Sequence, residues 1–148
     1  MTITDVVKDT QLKTMNMVHR TLLCVSGGRI GARLGDMQVF KVTTTGRTSG
    51  KPRSVMLTSP LQVGDGYVFV ASKGGDDRDP DWYRNMVANP EITIEPANGG
   101  APLAMVARTA TPDEKADLWP QIVAAYKGYA GYQTKTDRDI PVVVLEPR

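Results

Sequence analysis

Apolar side chains at Leu12, Met15, Val18, Leu22 and Val25 recur at steps of three and four, drawing one stripe along a predicted helix that ends at Gly27-Gly28. From Gln38 the period shortens. QVFKVTTT, residues 38–45, is rich in β-branched and aromatic residues and is closed off by Gly46 and Gly50, so it reads as a strand. RSVMLTS (53–59) and YVFVAS (67–72) read as two more, and the Gly64-Asp65-Gly66 turn between them predicts that they form a hairpin. Asp79-Pro80 supplies a capping side chain and a proline whose missing N–H costs nothing, predicting a helix that runs to Ala88 and stops at Asn89-Pro90. EITIEP (91–96) and PLAMVARTA (102–110) form a second predicted hairpin around Asn98-Gly99-Gly100, and Thr111-Pro112-Asp113-Glu114 has capping-box spacing before another helix. Ile140 to Glu146 makes the last strand. Strands come in adjacent pairs more than in alternation with helices. The expected fold is therefore α+β, a six-stranded antiparallel barrel with an N-terminal helix and two further short helices.

Length and composition fit that picture and narrow the function. A chain of 148 residues, 41% hydrophobic and 23% charged, is expected to form one domain: helix and connector over 1–36, barrel over 37–148. A net charge of +2 gives no nucleic-acid signature, and the lone Cys24 fits a reducing cytoplasm. The apolar run Leu22–Val25 is too short for a membrane span or a leader core. Lys8, Lys13, Arg20, Arg29 and Arg33 beside the apolar stripe leave open a peripheral contact with the inner membrane face, against a helix packed on its own domain. His19 is the single histidine, so no metal site and no Ser-His or Cys-His pair is expected. Neither a Rossmann nor a P-loop fingerprint occurs. Any hard chemistry then falls to a cofactor.

Three stretches carry candidate chemistry. TTTGRTSGKPR, Thr43 to Arg53, lies in a run from Met37 to Gly64 without one acid, while Lys41, Arg47, Lys51 and Arg53 supply cations. Glycines that let backbone N–H groups converge, together with Arg forks, suit a phosphate or carboxylate. The same composition also suits a solvated loop between strands. SKGG, Ser72 to Gly75, has the makings of a second anion nest, and the helix after it carries Trp82 and Tyr83 among acids whose ordinary role is capping. YKGYAGY sets Tyr126, Tyr129 and Tyr132 three apart, with Gly128 and Gly131 making a poor helix and a candidate flap. Trp82 and Tyr83 beside the two basic, glycine-containing loops suit a flat ring with an anionic tail, although such aromatics most often pack in a core, and the tyrosine stretch reads equally as surface packing on the barrel.

Together these stretches resemble the deazaflavin-dependent nitroreductase family of actinobacteria. TTTGRTSGKPR resembles its TTTGRKSGxPR signature, SKGG with PDWYRNMVANP its ASKGG and PxWYxNLxANP block, and YxxYxxYQxxTDRxIPVVVLEP its C-terminal signature. The likeness runs from about Val39 to Pro147 and implies a split β-barrel of the flavin-mononucleotide-binding kind that holds coenzyme F420, an 8-hydroxy-5-deazaflavin with a phosphodiester and a polyglutamate tail. Carried onto this chain, it implies that Arg47, Arg53 and Lys73 meet phosphate and tail carboxylates, with Thr48 and Ser49 adding hydrogen bonds. Ser54, Val55, Met56, Leu57 and Thr58, then Val70, Ala71 and Ser72, would line the ring, with Gly74 and Gly75 in the nest and Trp82, Tyr83 and Asn85 closing the coenzyme side. Thr48 stands where the family often has Lys, which should weaken tail binding or shorten the preferred tail unless Lys51 compensates.

The implied activity is hydride transfer from reduced deazaflavin to an electron-poor small molecule: a quinone, a nitroaromatic or an α,β-unsaturated carbonyl such as a coumarin-type lactone. Ser72 and Tyr129 are the expected oxyanion donors, and Tyr126, Tyr129 and Tyr132 the expected acceptor pocket. A cytoplasmic monomer or homodimer is expected, with no nucleic-acid partner. Two alternatives stay open: flavin mononucleotide in the same barrel, and a small barrel that binds single-stranded nucleic acid. With only 6% aromatic residues, the chain favours the latter least.

Overall fold

The computed structural model describes residues 33–34 and 37–148, so the expected N-terminal helix, with His19 and Cys24, lies outside the described residues. The strands are β1 (Arg33–Leu34), β2 (Met37–Thr45), β3 (Pro52–Ser59), β4 (Leu61–Val63), β5 (Gly66–Val70), β6 (Glu91–Pro96), β7 (Leu103–Thr109) and β8 (Val142–Pro147). The helices are α1 (Asp81–Ala88), α2 (Pro112–Ala125) and α3 (Gly128–Thr134), and a 3-10 turn covers Lys73–Gly75. All six expected strands are present. The additions to the expected set are β1 and β4, of two and three residues, and helix α3.

Every ladder is antiparallel, and pairing runs β1-β2-β6-β7-β8-β5-β4 with β3 on the other side of β2. The sheet curls, giving an α+β half-barrel. One expected pairing is corrected: residues 53–59 do not form a hairpin with 67–72. Strand β3 runs back along β2, with Thr45 opposite Pro52 and Gln38 opposite Ser59, while the Gly64-Asp65 turn joins β4 to β5. Pro60 lacks the N–H that would extend β3, so the turn serves only the three residues after it.

Both faces of the sheet are buried where β5 and β8 run. Phe40, Val42, Phe69, Ile92, Ile94, Met105, Val143 and Leu145 fill the concave side with Met86 of α1. Val68, Val70 and Val142 turn the other way, against Ile122 of α2 and Tyr129 of α3. That two-sided burial explains why β8 reads as an unbroken apolar run rather than an alternating one.

The helix ends follow local chemistry in one case and tertiary contacts in two. At α2 the capping box forms: Glu114 N donates to Thr111 Oγ1 at 3.2 Å, and Thr111 N donates to Glu114 Oε1 at 3.0 Å. Arg108 grips the same carboxylate at 2.7 Å and Glu146 at 3.0 Å. Hydrogen bonding from Arg108, then from the Thr111 backbone, pulls the Glu114 carboxyl down to about 2. Helix α1 begins at Asp81 behind Pro80 without a side-chain cap. The expected cap, Asp79, accepts from Arg138 instead. The tyrosine segment read as a flap is helix α3, held in place because Tyr129 is 6% exposed within the second apolar cluster.

Candidate functional site

Among the described residues, strand β3 has β2 as its ladder partner, and alternate N–H and C=O groups along its other edge point away from β2. Strand β5 approaches that edge without forming a ladder to it. The Ser59 hydroxyl lies 2.8 Å from the Val68 carbonyl oxygen and ties one end of this seam. By register, Ser54, Met56 and Thr58 share a face with Thr43, Lys41 and Val39. Val55 and Leu57 alternate inward against the barrel core. Of the five β3 residues expected along a ring, two therefore offer backbone alone.

The basic stretch is a compact hairpin loop between β2 and β3. Gly46 N donates to Lys51 O at 2.8 Å and Gly50 N to Gly46 O at 2.9 Å. Ser49 Oγ accepts from Lys51 N at 3.2 Å and from Arg53 Nη2 at 3.5 Å, bringing the expected Ser49 and Arg53 together. Arg47 reaches across to α1. Its backbone N and Nη1 both donate to Asn85 Oδ1, at 3.2 and 2.9 Å, and its Nη2 to Asp81 Oδ1 at 3.2 Å. Asn85, 4% exposed, donates in turn to Thr44 Oγ1 at 3.2 Å. A buried amide with its polar atoms satisfied fixes the guanidinium before any ligand arrives. Thr48 and Lys51 remain exposed on the loop.

The second anion-binding candidate is built from backbone strain. Lys73, Gly74 and Gly75 follow one another at φ of 46°, 64° and 84°. Gly75 is buried, and a Cβ there would lie 2.8 Å from Tyr132 O and 2.9 Å from Lys135 Cβ, so the turn sits directly on α3. Asp76 is fully buried behind it. Burial raises its carboxyl pKa, but hydrogen bonds from the Arg78 side chain and backbone, with the charges of Arg78 and Lys73, more than offset this and hold it below the usual range. Arg138 takes the carbonyls of Ala71, Ser72 and Asp76 together with Asp79 Oδ1. Its role was invisible to local pattern, because these partners lie 59–67 positions earlier.

The three tyrosines form one edge-to-face cluster, with ring centroids 5.3, 6.1 and 6.3 Å apart. Tyr129 points inward. Its hydroxyl lies 3.4 Å from Thr58 Oγ1 on β3 and 3.7 Å from Met37 Sδ. Burial pushes its phenol up, the Thr58 hydrogen bond opposing and the Tyr126 charge adding to the rise. Tyr126 is 42% exposed, and its hydroxyl stands 3.5 Å from that of Tyr132. That hydrogen bond, then burial, moves Tyr132 up to about 12. Tyr129 and Tyr132 are therefore donors at neutral pH, not bases.

Not every expected residue joins this region. Trp82 and Tyr83 pack on the barrel core, and the Tyr83 hydroxyl meets Thr109 Oγ1 at 2.8 Å on β7. A cleft of about 770 Å³ opens at the root of the basic hairpin, lined by Thr43, Thr45, Pro52, Asn89, Glu91 and Arg148 among others, and neither the tyrosines nor SKGG reach it. Among the described residues, no helix is long and apolar enough to cross a membrane.

Comparison with known proteins matches the arrangement to a class. The sequence profile of the F420H(2)-dependent quinone reductases fits residues 15–147, which sets the chain among oxidoreductases that use reduced coenzyme F420. An F420H(2)-dependent quinone reductase of Mycobacterium tuberculosis is 40% identical over 136 residues, 88% of this chain and 89% of its own. A solved F420-H2 dependent reductase (FDR-A) superposes with TM-score 0.64 at 44% identity, covering 73% of this chain and 93% of that one. A second solved relative, described as a domain-swapped dimer, gives TM-score 0.66 at 36% identity over 98% of this chain and 100% of that one. The chain belongs to the F420H(2)-dependent quinone reductase family. Its donor set is of a kind that fits the coenzyme: an Arg pre-set by a buried Asn, an Arg beside Ser49, and a lysine in a positive-φ turn are groups whose charge and hydrogen bonds suit a phosphorylated, carboxylate-bearing tail.

Proposed function

We propose that this protein binds coenzyme F420 along the seam between β3 and β5 and passes its reducing equivalents to a quinone. Nitroaromatics and α,β-unsaturated carbonyls would be further acceptors of the same electron-poor kind. One observation carries the reading: strand β3 carries Arg53 near one end, meets the tyrosine helix through Thr58, and lies beside β5, whose exit leads to Lys73. Reduced F420 supplies a hydride, two electrons at once, at the ring carbon that replaces the reactive nitrogen of a flavin.

The chain's own residues do the rest. Arg47, Arg53 and Lys73 hold the phosphate and tail carboxylates, with Ser49 and Thr48 adding hydrogen bonds. Strand β3 over Ser54–Thr58 and the exit of β5 at Val70–Ser72 line the ring, with the Ala71 and Ser72 carbonyls held by Arg138 and the Ala71 N–H by Pro141 O. Ser72 and Tyr129 stabilise charge growing on the acceptor oxygen. Because Tyr129 is buried, its hydroxyl acts through Thr58, 3.4 Å away. Tyr126 and Tyr132 wall the acceptor, keep water off the ring face and position the reacting carbons. Trp82 supports the coenzyme side from the barrel core. Tyr83 does so less directly, its hydroxyl being committed to Thr109. The dimeric relative makes a homodimer the assembly to test first.

The experiment is anaerobic oxidation of reduced F420 by the purified protein against quinones, nitroaromatics and enoates, with reduced flavin mononucleotide as the competing donor. Quinone-dependent reoxidation of F420, absent with the flavin, is the expected result. Turnover with the flavin alone would replace the proposal.

A further inference from the structure

The segment from Ala71 to Asp79 carries Lys73 and the three successive positive-φ residues, and it lies outside the strand ladders. Besides the bond from Ala71 N to Pro141 O and the Arg78–Asp76 pair, one side chain 59–67 positions away gathers it at four acceptors. Arg138 Nη2 donates to Ala71 O at 3.1 Å and to Ser72 O at 3.0 Å, Nε to Asp76 O at 2.8 Å, and Nη1 to Asp79 Oδ1 at 3.0 Å. Only 16% of the side chain is exposed. Three nitrogens of one planar group thus collect both ends and the middle of the loop, a geometry an ammonium on a flexible stem cannot reproduce.

Arg138 is itself anchored to the tyrosine helix. Gln133 of α3 donates from Nε2 to Arg138 O at 2.8 Å and accepts from Ile140 N at 3.1 Å, while Thr136 Oγ1 accepts from Arg138 N at 3.3 Å. Gln133 follows Tyr132, whose carbonyl is the atom against which Gly75 packs. Loop and helix are therefore joined twice, once by close packing at Gly75 and once through the guanidinium.

We infer that Arg138 is a positioning residue of the coenzyme site. It holds the Ala71–Asp79 loop in the strained course that presents Lys73 and the adjacent backbone to the anionic part of the coenzyme, and it references that course to α3. The inference rests on the F420 reading for its ligand, but not for the loop it orders.

Two measurements on Arg138→Gln, Arg138→Lys and Asp79→Asn test it. Amide hydrogen exchange of the ligand-free protein should rise at least about tenfold across residues 71–79 in Arg138→Gln and stay at the wild-type rate in the 91–96 and 103–109 hairpin, with Arg138→Lys intermediate. Titration with F420 should show Kd raised at least about tenfold in Arg138→Gln, the loss equivalent to one charge-assisted hydrogen bond, while kcat at saturating coenzyme changes far less. Asp79→Asn keeps the three carbonyl acceptors and should raise Kd by a smaller factor. A residue that merely fills space would leave loop exchange and coenzyme affinity alike, and either result in a folded Arg138→Gln protein overturns the inference. Should that variant not fold, an unchanged Kd in Asp79→Asn overturns it instead. If wild type ignores F420, the functional reading fails, and loop exchange in the ligand-free protein decides the role of Arg138.

Discussion

Replacing Gly75 by alanine separates two costs that usually travel together. An alanine at φ of 84° adopts a left-handed backbone, which costs roughly 1–2 kcal/mol. Its Cβ would also lie 2.8 Å from Tyr132 O and 2.9 Å from Lys135 Cβ, positions fixed by the α3 backbone, and overpacking of this kind costs about 1–3 kcal/mol more. Gly74 is the built-in control. Its φ is 64°, and nothing lies within 4 Å of the Cβ that alanine would add, so Gly74→Ala carries the conformational cost alone. The difference between the two variants is then about 1–3 kcal/mol, or roughly 3–10 °C in Tm for a chain of this length. Thermal and urea unfolding of both proteins, without coenzyme, measures it. A Gly75→Ala protein that melts with or above Gly74→Ala would show that loop and α3 are not in the close contact on which the site depends.

Other consequences follow from named contacts. Asn85→Ala removes the acceptor shared by two Arg47 nitrogens and the donor to Thr44, so urea unfolding should show a loss of about 2–3 kcal/mol and F420 affinity should fall about tenfold. Unchanged affinity would mean that Arg47 is not pre-set by α1. Tyr126→Phe takes away the leading cause of the Tyr132 shift, so ultraviolet titration should show that phenol moving from about 12 back toward its ordinary 10. Because the folded value is raised, the stability this pair contributes is complete below pH 10 and is lost as pH climbs through about 12. Glu114 is the opposite case. Its carboxyl lies at about 2 against an ordinary 4.5, so its contribution is present above 4.5 and disappears as pH falls toward 2, a dependence that Glu114→Gln should remove from an acid unfolding curve.

What could be read from the sequence was whatever is decided within a few residues. The box Thr111–Glu114, the hairpin 91–109 with its Asn-Gly-Gly turn, and the stop at Asn89-Pro90 all depend on neighbours in the chain, and all are formed. The partner of β3 was not legible, because the Gly64-Asp65-Gly66 signal says that a turn exists, not how many residues it serves. Pro60 decides that, together with the long register between β2 and β3. Helix α3 was masked by Gly128 and Gly131, whose low helix propensity is overridden by burial of Tyr129 and by the seat that α3 provides for Gly75. Motif resemblance pointed to the cations and tyrosines that the proposed site uses. It could not tell inward from outward residues along β3, nor show that the Tyr83 hydroxyl is committed to Thr109. Arg138 lay inside a recognised motif with no role attached, since one cation in a polar loop has no local signature of its acceptors.

In the proposed site, cations on two loops grip the acidic tail of a deazaflavin laid along β3. Equilibrium dialysis of the purified protein at low ionic strength tests this most directly, comparing F420 with the same deazaflavin stripped of its phosphate and glutamates. Intact F420 should be retained, added salt should weaken its retention, and the stripped ring should bind far more weakly. Equal binding of the two compounds, or no retention of either, would contradict it.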